Sequence, residues 1–323
     1  MKQKSVNSVK NNMSNSSWEK SNCPICGKDT PSNRPVVSSR IAAENSSWDQ
    51  VSDLFIGFRK GQLFFSYYRC KNCETLYCPW FFSAKQLENL YRNMPDNLIG
   101  QELFGPKKTQ NGYATWVNER VRTVSHYLEI GADIGLLAEA FDQTQTFKSV
   151  NLIEPNHSVQ TKLLSSIRNC ETVNVSDYIE SADVNNIDLT VAVHVLDHAK
   201  EPMSMLNEVL RRTIKDGFIM IVVHDEKSLL RKILRKKWPP FCLQHPVLFN
   251  ISTLSEALNL SGWDLVDYSK TTNHYLVKDF FKLMFSVFGI PERFVKWIPT
   301  LSIGIRTGNI IALAQKKYST KVV

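Results

Sequence analysis

No run of the 323 residues is apolar over the length a membrane-crossing helix needs. The longest, Phe280 to Ile290, is interrupted by Lys282. The N-terminus lacks the apolar core of a secretory signal. Met1 to Asn22 is instead rich in Ser, Asn and Lys, with almost nothing to bury, and reads as a disordered leader. A disulfide framework is also missing, because four of the seven cysteines fall in two Cys-x-x-Cys pairs. The expectation is a reduced, cytoplasmic protein. A Gly-x-Gly-x-x-Gly turn is absent too, so the usual dinucleotide fingerprint does not apply.

What is present reads as soluble and globular, at 43% hydrophobic and 22% charged residues. The length suits one large domain or two of ordinary size. A net charge of +8 suggests an anionic partner, which nucleic acid, phosphorylated sugars or a membrane surface would each satisfy.

The first chemistry is Cys23-Pro-Ile-Cys26-Gly27, answered after a long interval by Arg69-Cys70-Lys-Asn-Cys73. Two such knuckles predict one tetrahedral zinc on Cys23, Cys26, Cys70 and Cys73, and a redox pair would not need a second copy. Four thiolates leave the ion no open position, so this zinc is expected to be structural. The aromatic stretch Gln62 to Tyr68 reads as strand, as in a zinc ribbon, and the long interval predicts that it packs on the next domain. Cys78 is a spare, and Cys170 and Cys242 read as core. Helical spacing follows over Ser83 to Arg92 and Asn111 to Ser125, with Asn93 to Gln110 as a connector and domain boundary.

The rest of the chain is organised around Ser125 to Phe141. An apolar run, His126 to Ile130, carries Glu129 and breaks at Gly131. Gly135 follows, and then an apolar-periodic segment. This is the pattern of a strand, a tight turn and a helix N-terminus, where α/β sheets hold nucleotide-like ligands. Val150 to Glu154 is a second apolar run ending in an acid, about twenty residues on, where a ribose-binding carboxylate belongs.

Strands and helices then alternate. Strands are predicted at Tyr127 to Ile130, Val150 to Glu154, Thr172 to Val175, Ile187 to Val193, Gly217 to Val223, Trp263 to Ser269 and Asn309 to Ala314. The helices between them are Leu136 to Phe141, Ser158 to Arg168, Met203 to Ile214 and Ser252 to Leu260. The fold class is α/β, a doubly wound, seven-stranded, mostly parallel sheet with a small N-terminal zinc ribbon.

With these motifs the chain resembles the class I S-adenosylmethionine-dependent methyltransferases over roughly Tyr113 to Lys317. The resemblance implies a Rossmann-like fold and S-adenosyl-L-methionine as cofactor. By position it implies that Glu129, Gly131, Ala132, Asp133 and Gly135 line the cofactor and that Glu154 holds the ribose. Asp177 would stand near the adenine, or cap a helix, or both. Many members have glycine at the position of Asp133. Aspartate tolerates left-handed backbone, so the turn survives if the side chain points away from the cofactor. Helices ahead of the first strand cap the cofactor in this family, which would bring Tyr113 near the site, unless it is ordinary core.

The fourth strand runs into Ala192-Val-His194-Val-Leu-Asp197-His198-Ala-Lys-Glu-Pro202, beyond the strand ends where ligands sit. His194, Asp197 and His198 can face cofactor or substrate. His194 is assigned to the cofactor and His198 to proton transfer, although His198 could equally orient the next helix. The Asp/Asn-Pro-Pro-aromatic run common in enzymes that methylate exocyclic or amide nitrogens is missing. That favours O- or C-methylation.

Lys227 to Lys237 holds six Lys/Arg in eleven residues, opposite a stripe of Leu229, Leu230, Ile233 and Leu234. It reads as a basic amphipathic helix for phosphates or an anionic membrane surface, or as a solvated face. Trp238 to Ser252 resembles a stretch of family members acting on sugars and related small molecules, which makes His245 a second acid/base candidate or a structural loop histidine. The apolar insertion 273–300 is a lid, a dimer surface or a membrane-touching element.

The domain expectation is a leader over 1–22, a zinc ribbon over 23–92 and a methyltransferase domain over 111–317. The activity expected is methyl transfer from S-adenosylmethionine to a hydroxyl or carbon of a small hydroxylated acceptor, a nucleotide-linked sugar or glycan unit. The rivals are an RNA methyltransferase that uses the ribbon to bind RNA, and a non-catalytic binding protein whose cofactor site has degenerated at Asp133. The segment from Cys23 to Cys73 is not especially Lys/Arg-rich, which tells against RNA.

Overall fold

The computed structural model describes residues 18–55, 63–94, 102–288 and 301–317. In chain order it opens with β1 (Glu19–Lys20), α1 (Trp48–Ser52), β2 (Tyr68–Arg69), β3 (Leu76–Tyr77), β4 (Trp80–Phe81), α2 (Ala84–Arg92) and α3 (Phe104–Asn118). The alternating part follows: β5 (His126–Ile130), α4 (Leu136–Asp142), β6 (Phe147–Ile153), α5 (His157–Ser166), β7 (Cys170–Ser176), β8 (Ile187–Val193), α6 (Pro202–Arg212) and β9 (Thr213–His224). The chain closes with α7 (Leu229–Leu234), β10 (Val247–Leu248), α8 (Ile251–Leu260), β11 (Trp263–Lys270), β12 (Asn273–Leu276), α9 (Val277–Phe288), β13 (Ser302–Ile305) and β14 (Asn309–Lys316).

The central sheet has seven strands in the order β11-β14-β9-β8-β5-β6-β7. Its pairs from β9 to β7 are parallel, and β14 runs antiparallel between β9 and β11. Chain order reverses between β5 and β8, so the loops after these two strands diverge and leave a crevice beyond their carboxyl ends. Strands this apolar need cover on both faces. On β9, Ile219, Ile221 and Val223 pack with α6 and α8 through Leu206, Val209, Leu254 and Leu258. Met220 and Val222 point the other way, to α3 and α4 through Val117, Leu137 and Phe141.

The helix boundaries follow from their caps. Ser83 and Gln86 form a capping box on α2, Asn250 caps α8, and Pro202 opens α6, where a missing N–H costs nothing. α6 ends at Arg212 and β9 begins at the next residue, earlier than the sequence predicted.

Three further expectations are corrected. The connector over Asn93 to Gln110 is cut short, because α3 begins at Phe104. Pro106 lies in its first turn, where proline is tolerated, and Gly105 lets the helix approach the backbone of His274 to 2.6 Å from where a Cβ would stand. The leader is shorter than Met1 to Asn22: Trp18 is buried and Glu19–Lys20 pairs with Trp80–Phe81, while residues 1–17 lie outside the described ones. The basic amphipathic helix is one short helix, α7, followed by a 3-10 turn over Arg235–Lys237. Arg235 has φ 51° and breaks the spiral. The expected apolar stripe divides accordingly. Leu234 is buried and Leu230 packs beside it, but Leu229 and Ile233 are 72% and 65% exposed.

The N-terminal region is joined to the sheet domain by packing. Trp18, Phe64, Phe65, Tyr67, Phe81 and Phe82 share one aromatic cluster with Trp238, Phe241 and Leu248. β10 adds to β3, completing a three-stranded sheet with β2. Arg69 forks onto Glu226 at 2.8 and 3.1 Å, and Glu226 also accepts from Asn250 at 2.9 Å. The predicted contact of the ribbon with the next domain is therefore a continuous core. Of the 273–300 insertion, β12 and α9 are described. β12 pairs with β13 and packs on α3, and residues 289–300 lie outside the described ones. Among the described residues no helix is long and apolar enough to cross a membrane.

Candidate active site and cysteine cluster

The Sγ atoms of Cys23, Cys26, Cys70 and Cys73 all lie within 4.8 Å of one another. Two matching turns bring them there. Gly27 N–H donates to Cys23 C=O at 2.9 Å and Glu74 N–H to Cys70 C=O at 3.0 Å, with Gly27 at φ 71° and Glu74 at φ 60°. As free thiols they are unequal. Burial pushes Cys23 and Cys73 up; for Cys70 burial is outweighed by hydrogen bonds from Thr30 and backbone N–H groups, leaving it at about 6. A cation gathering four thiolates suits this cluster, and its chemistry fits zinc. Of the other cysteines, Cys78 is buried, whereas Cys170 and Cys242 are only partly so, short of the core positions expected for them.

The glycine turn follows β5. Gly131, Asp133 and Gly135 have φ of 73°, 48° and 80°. Asp133 thus adopts the left-handed backbone that glycine would otherwise supply. A Cβ on Gly131 would stand 2.5 Å from Val195 Cγ2, so the turn after β5 lies directly against the loop after β8. The N–H groups of Gly131 and Ala132 donate to Ile153 C=O at 2.8 and 3.2 Å, fixing the turn to the end of β6. Gly135 then opens α4.

Glu154 is buried just past β6 and accepts from Asp133 N–H and Asn156 N–H, each at 2.8 Å. Burial raises its pKa and these two donors oppose the rise. Asp177 does not cap the following turn. It accepts from His157 at 2.9 Å and from Gln160 at 2.8 Å, and Gln160 also donates to the Glu154 carbonyl at 2.7 Å. The two acids therefore stand on one network at the ends of β6 and β7.

Glu129 lies elsewhere. It faces the core beneath α4, accepting from the Tyr127 hydroxyl at 2.7 Å and from Ala138 N–H. Burial raises it to about 8, with those two donors opposing. A carboxyl so enclosed braces the turn and helix from below, and its side chain is not on the crevice surface the resemblance implied.

Beyond β8 and β9, four histidines surround Asp197, which is completely buried. Asp197 Oδ2 accepts from His224 N–H at 3.2 Å and lies 3.9 Å from His194 Nδ1. His194, assigned to the cofactor by sequence, has φ 53° and stacks on His224 with ring centroids 4.2 Å apart. Asn309 joins that pair, its Oδ1 2.9 Å from His224 Nδ1 and its Nδ2 3.3 Å from His194 Nε2. Tyr113 is buried in the core, where it hydrogen-bonds Thr271 and Asn309. On the other side, His198 and His245 meet edge to face at 4.5 Å, and the Tyr91 hydroxyl lies 3.3 Å from His198 Nδ1. His245 Nδ1–H donates to the Pro240 carbonyl at 2.7 Å. Burial lowers His198 to about 4 and His224 to about 3, and pushes His245 well below its ordinary value. For His198, His224 and His245 burial thus favours the neutral imidazole, the form a metal ligand needs.

Sequence reasoning brought out His194, Asp197, His198 and His245 but passed over His224, Asn309 and Tyr91. The available signal was His224 at the carboxyl end of the fifth strand of the sheet. Asn309 and Tyr91 carry no motif.

A seven-stranded sheet with one reversed strand, a glycine turn at its switch point and an acid after each of the next two strands defines a class I S-adenosylmethionine-dependent methyltransferase. Residues 102–268, more than half of the chain, match the family model described as a methyltransferase domain, and the chain belongs to that family. No curated protein sequence matches it. Similar solved structures include a chain of the complex between the Haloferax volcanii Trm112 methyltransferase activator and a methyltransferase, at 11% identity and TM-score 0.49, covering 66% of this chain and 92% of that one. Magnesium protoporphyrin IX methyltransferase from Synechocystis, with bound S-adenosylhomocysteine, is 11% identical at TM-score 0.45, covering 73% and 88%. The N-methyltransferase NodS from Bradyrhizobium japonicum, also with S-adenosylhomocysteine, is 10% identical at TM-score 0.46, covering 72% and 98%.

Proposed function

We propose that the protein transfers a methyl group from S-adenosylmethionine to a hydroxyl or carbon of a small hydroxylated, anionic acceptor, a nucleotide-linked sugar or glycan unit. When bound, the cofactor supplies an electrophilic methyl on a sulfonium. In this reading the turn from Gly131 to Gly135 lines its methionine part, Glu154 holds the ribose and Asp177 stands toward the adenine. Glu129 supports the turn from beneath. His198 and His245 deal with the proton of the acceptor.

The observation that carries the acceptor assignment is the buried Asp197–histidine cluster next to the glycine turn, with Val195 in contact with Gly131. A pair of neutral imidazoles beside the crevice suits an acceptor whose nucleophile must lose a proton. It complements the missing Asp/Asn-Pro-Pro-aromatic run. The exposed cations Lys232, Arg235 and Lys236 after β9 suit an anionic acceptor. We assign the four-cysteine cluster a structural zinc, residues 23–92 the role of a brace for the methyltransferase domain over 111–317, and the protein a cytoplasmic location.

The test is S-adenosylhomocysteine release with purified protein against panels of nucleotide sugars, glycan fragments and RNA. Turnover is expected with a sugar-containing acceptor and is expected to fall at least tenfold in His198→Ala. Turnover confined to RNA would overturn the acceptor class.

A further inference from the structure

Two atoms of the histidine cluster carry a lone pair or charge without a partner among the described residues. Asp197 Oδ1 and His245 Nε2 are buried with no hydrogen bond to them, whereas His194 Nδ1 faces the Asp197 carboxylate at 3.9 Å. His245 is 3% exposed and Asp197 is 0% exposed, so leaving them unpaired costs free energy comparable to a lost hydrogen bond each. The tautomer of His245 follows from its neighbour. A carbonyl cannot donate, so the contact of Nδ1 with Pro240 C=O at 2.7 Å puts the proton on Nδ1 and a bare lone pair on Nε2. One ligand atom each from Asp197, His198 and His245 lies within 4.8 Å of the others.

We infer that Asp197, His198 and His245 form a binding site for a divalent transition-metal ion, distinct from the four-cysteine cluster. Two imidazoles and one carboxylate are a common ligand set for such ions and leave coordination positions open. Each histidine has the outer partner that a ligand imidazole normally has. For His245 it is the Pro240 carbonyl, and for His198 it is the Tyr91 hydroxyl, 3.3 Å from Nδ1. An ion accounts for what the described residues leave unexplained, a carboxylate oxygen of Asp197 and an imidazole nitrogen of His245 that are both buried without a hydrogen-bond partner.

The inference rests on the proposed function only in placing this cluster at the acceptor, and it deepens that reading. The open positions suit an oxygen of the acceptor, such as a hydroxyl or a hydroxyl beside a carbonyl. Bound to such an ion, an acceptor hydroxyl would be more acidic and would release its proton to solvent, so His198 and His245 would deal with that proton through the ion they hold.

The experiment measures bound metal, independently of turnover. Full-length wild-type protein, His245→Ala and His198→Asn are compared by elemental analysis after purification from metal-supplemented cells. The more loosely held metal is then removed by dialysis against a chelator, leaving the cysteine-bound equivalent, and cobalt(II) is titrated into each sample. Wild type is expected to hold one equivalent of metal more than either variant, while all three keep the cysteine-bound equivalent. Its cobalt spectrum should show ligand-field bands without a sulfur-to-cobalt charge-transfer band, and both variants should lack them. The titration of wild type stands by itself if a variant does not fold. Equal metal in all three, with no cobalt spectrum in wild type, overturns the site. S-Adenosylmethionine binding on the same samples separates the two ideas. Cofactor binding and turnover without the extra ion overturns the cation and leaves the methyl-transfer reading standing. The extra ion without any cofactor binding supports the cation and overturns methyl transfer.

Discussion

The hydroxyl of Tyr67 donates to the backbone carbonyl of His245 at 2.6 Å, joining residues 178 positions apart. Tyr67 is itself completely buried, so a side chain of the N-terminal region fixes the backbone of a candidate active-site residue. Tyr67→Phe keeps the ring and leaves that carbonyl only the weak contact of the Cys78 thiol at 3.9 Å, which should cost about 1–3 kcal/mol of stability. It should also lower turnover while leaving cofactor affinity unchanged. Thermal unfolding and calorimetry check this together, and wild-type stability with wild-type turnover would show that the contact is incidental.

The cysteine cluster predicts one zinc per chain outside the histidine site. Cys73→Ser should lose that zinc and destabilise the fold by several kcal/mol, because the binding energy of such a site is also folding energy. Cys78 is buried but stands apart, bonded only weakly through its sulfur to the Phe65 and His245 carbonyls at 3.6 and 3.9 Å. Cys78→Ser should therefore retain the zinc and lose much less stability. If Cys73→Ser keeps its full metal content, the four-thiolate assignment is wrong.

Glu154 has two duties in this account, holding the turn through Asp133 N–H and gripping the ribose. Each charge-assisted hydrogen bond to a ribose hydroxyl contributes about 1.5–3 kcal/mol. Glu154→Ala should weaken S-adenosylmethionine binding more than tenfold, and Glu154→Gln, which keeps one acceptor oxygen, should weaken it less. An alanine variant that binds within twofold of wild type would mean that the acid after β6 does not serve the ribose.

Glu129 gives a pH signature. Burial raises its native pKa to about 8 against an ordinary value near 4.5. Between those values the native state holds a proton that the unfolded chain has released. The stabilising contribution is therefore complete below pH 4.5 and is lost as pH rises through 8, at up to about 1.4 kcal/mol per pH unit. Glu129→Gln cannot ionise and should flatten that part of the stability curve. The check is chemical denaturation at several pH values, and equal slopes in wild type and variant would refute the assignment.

Much of the architecture was legible because its signals are local. Seven short apolar runs separated by helical spacing mark the seven strands, and the two Cys-x-x-Cys pairs mark their own cluster. Asp133 could be expected in the left-handed region from its residue type. Other features depend on contacts that no single stretch encodes. Glu74 performs in the second knuckle what Gly27 performs in the first. Glu129 turned inward because Tyr127, two residues away on the same face, offers it a buried donor. The candidate site collects His194, Asp197 and His198 from the loop after β8, His224 from the end of β9, His245 from the segment before β10 and Asn309 from the start of β14, and only the runs around His194 and His245 resemble anything by themselves. The apolar stripe after β9 failed as a prediction because Leu234 packs into the aromatic core of the N-terminal region, which local periodicity does not reveal.

The central claim is that the crevice between the loops after β5 and β8 holds S-adenosylmethionine. Isothermal titration of folded, zinc-loaded full-length protein with S-adenosylmethionine tests it most directly. The account predicts saturable binding at one site per chain, competed by S-adenosylhomocysteine and weakened more than tenfold by Glu154→Ala. No heat of binding in folded wild-type protein, or binding unaffected by that substitution, would contradict it.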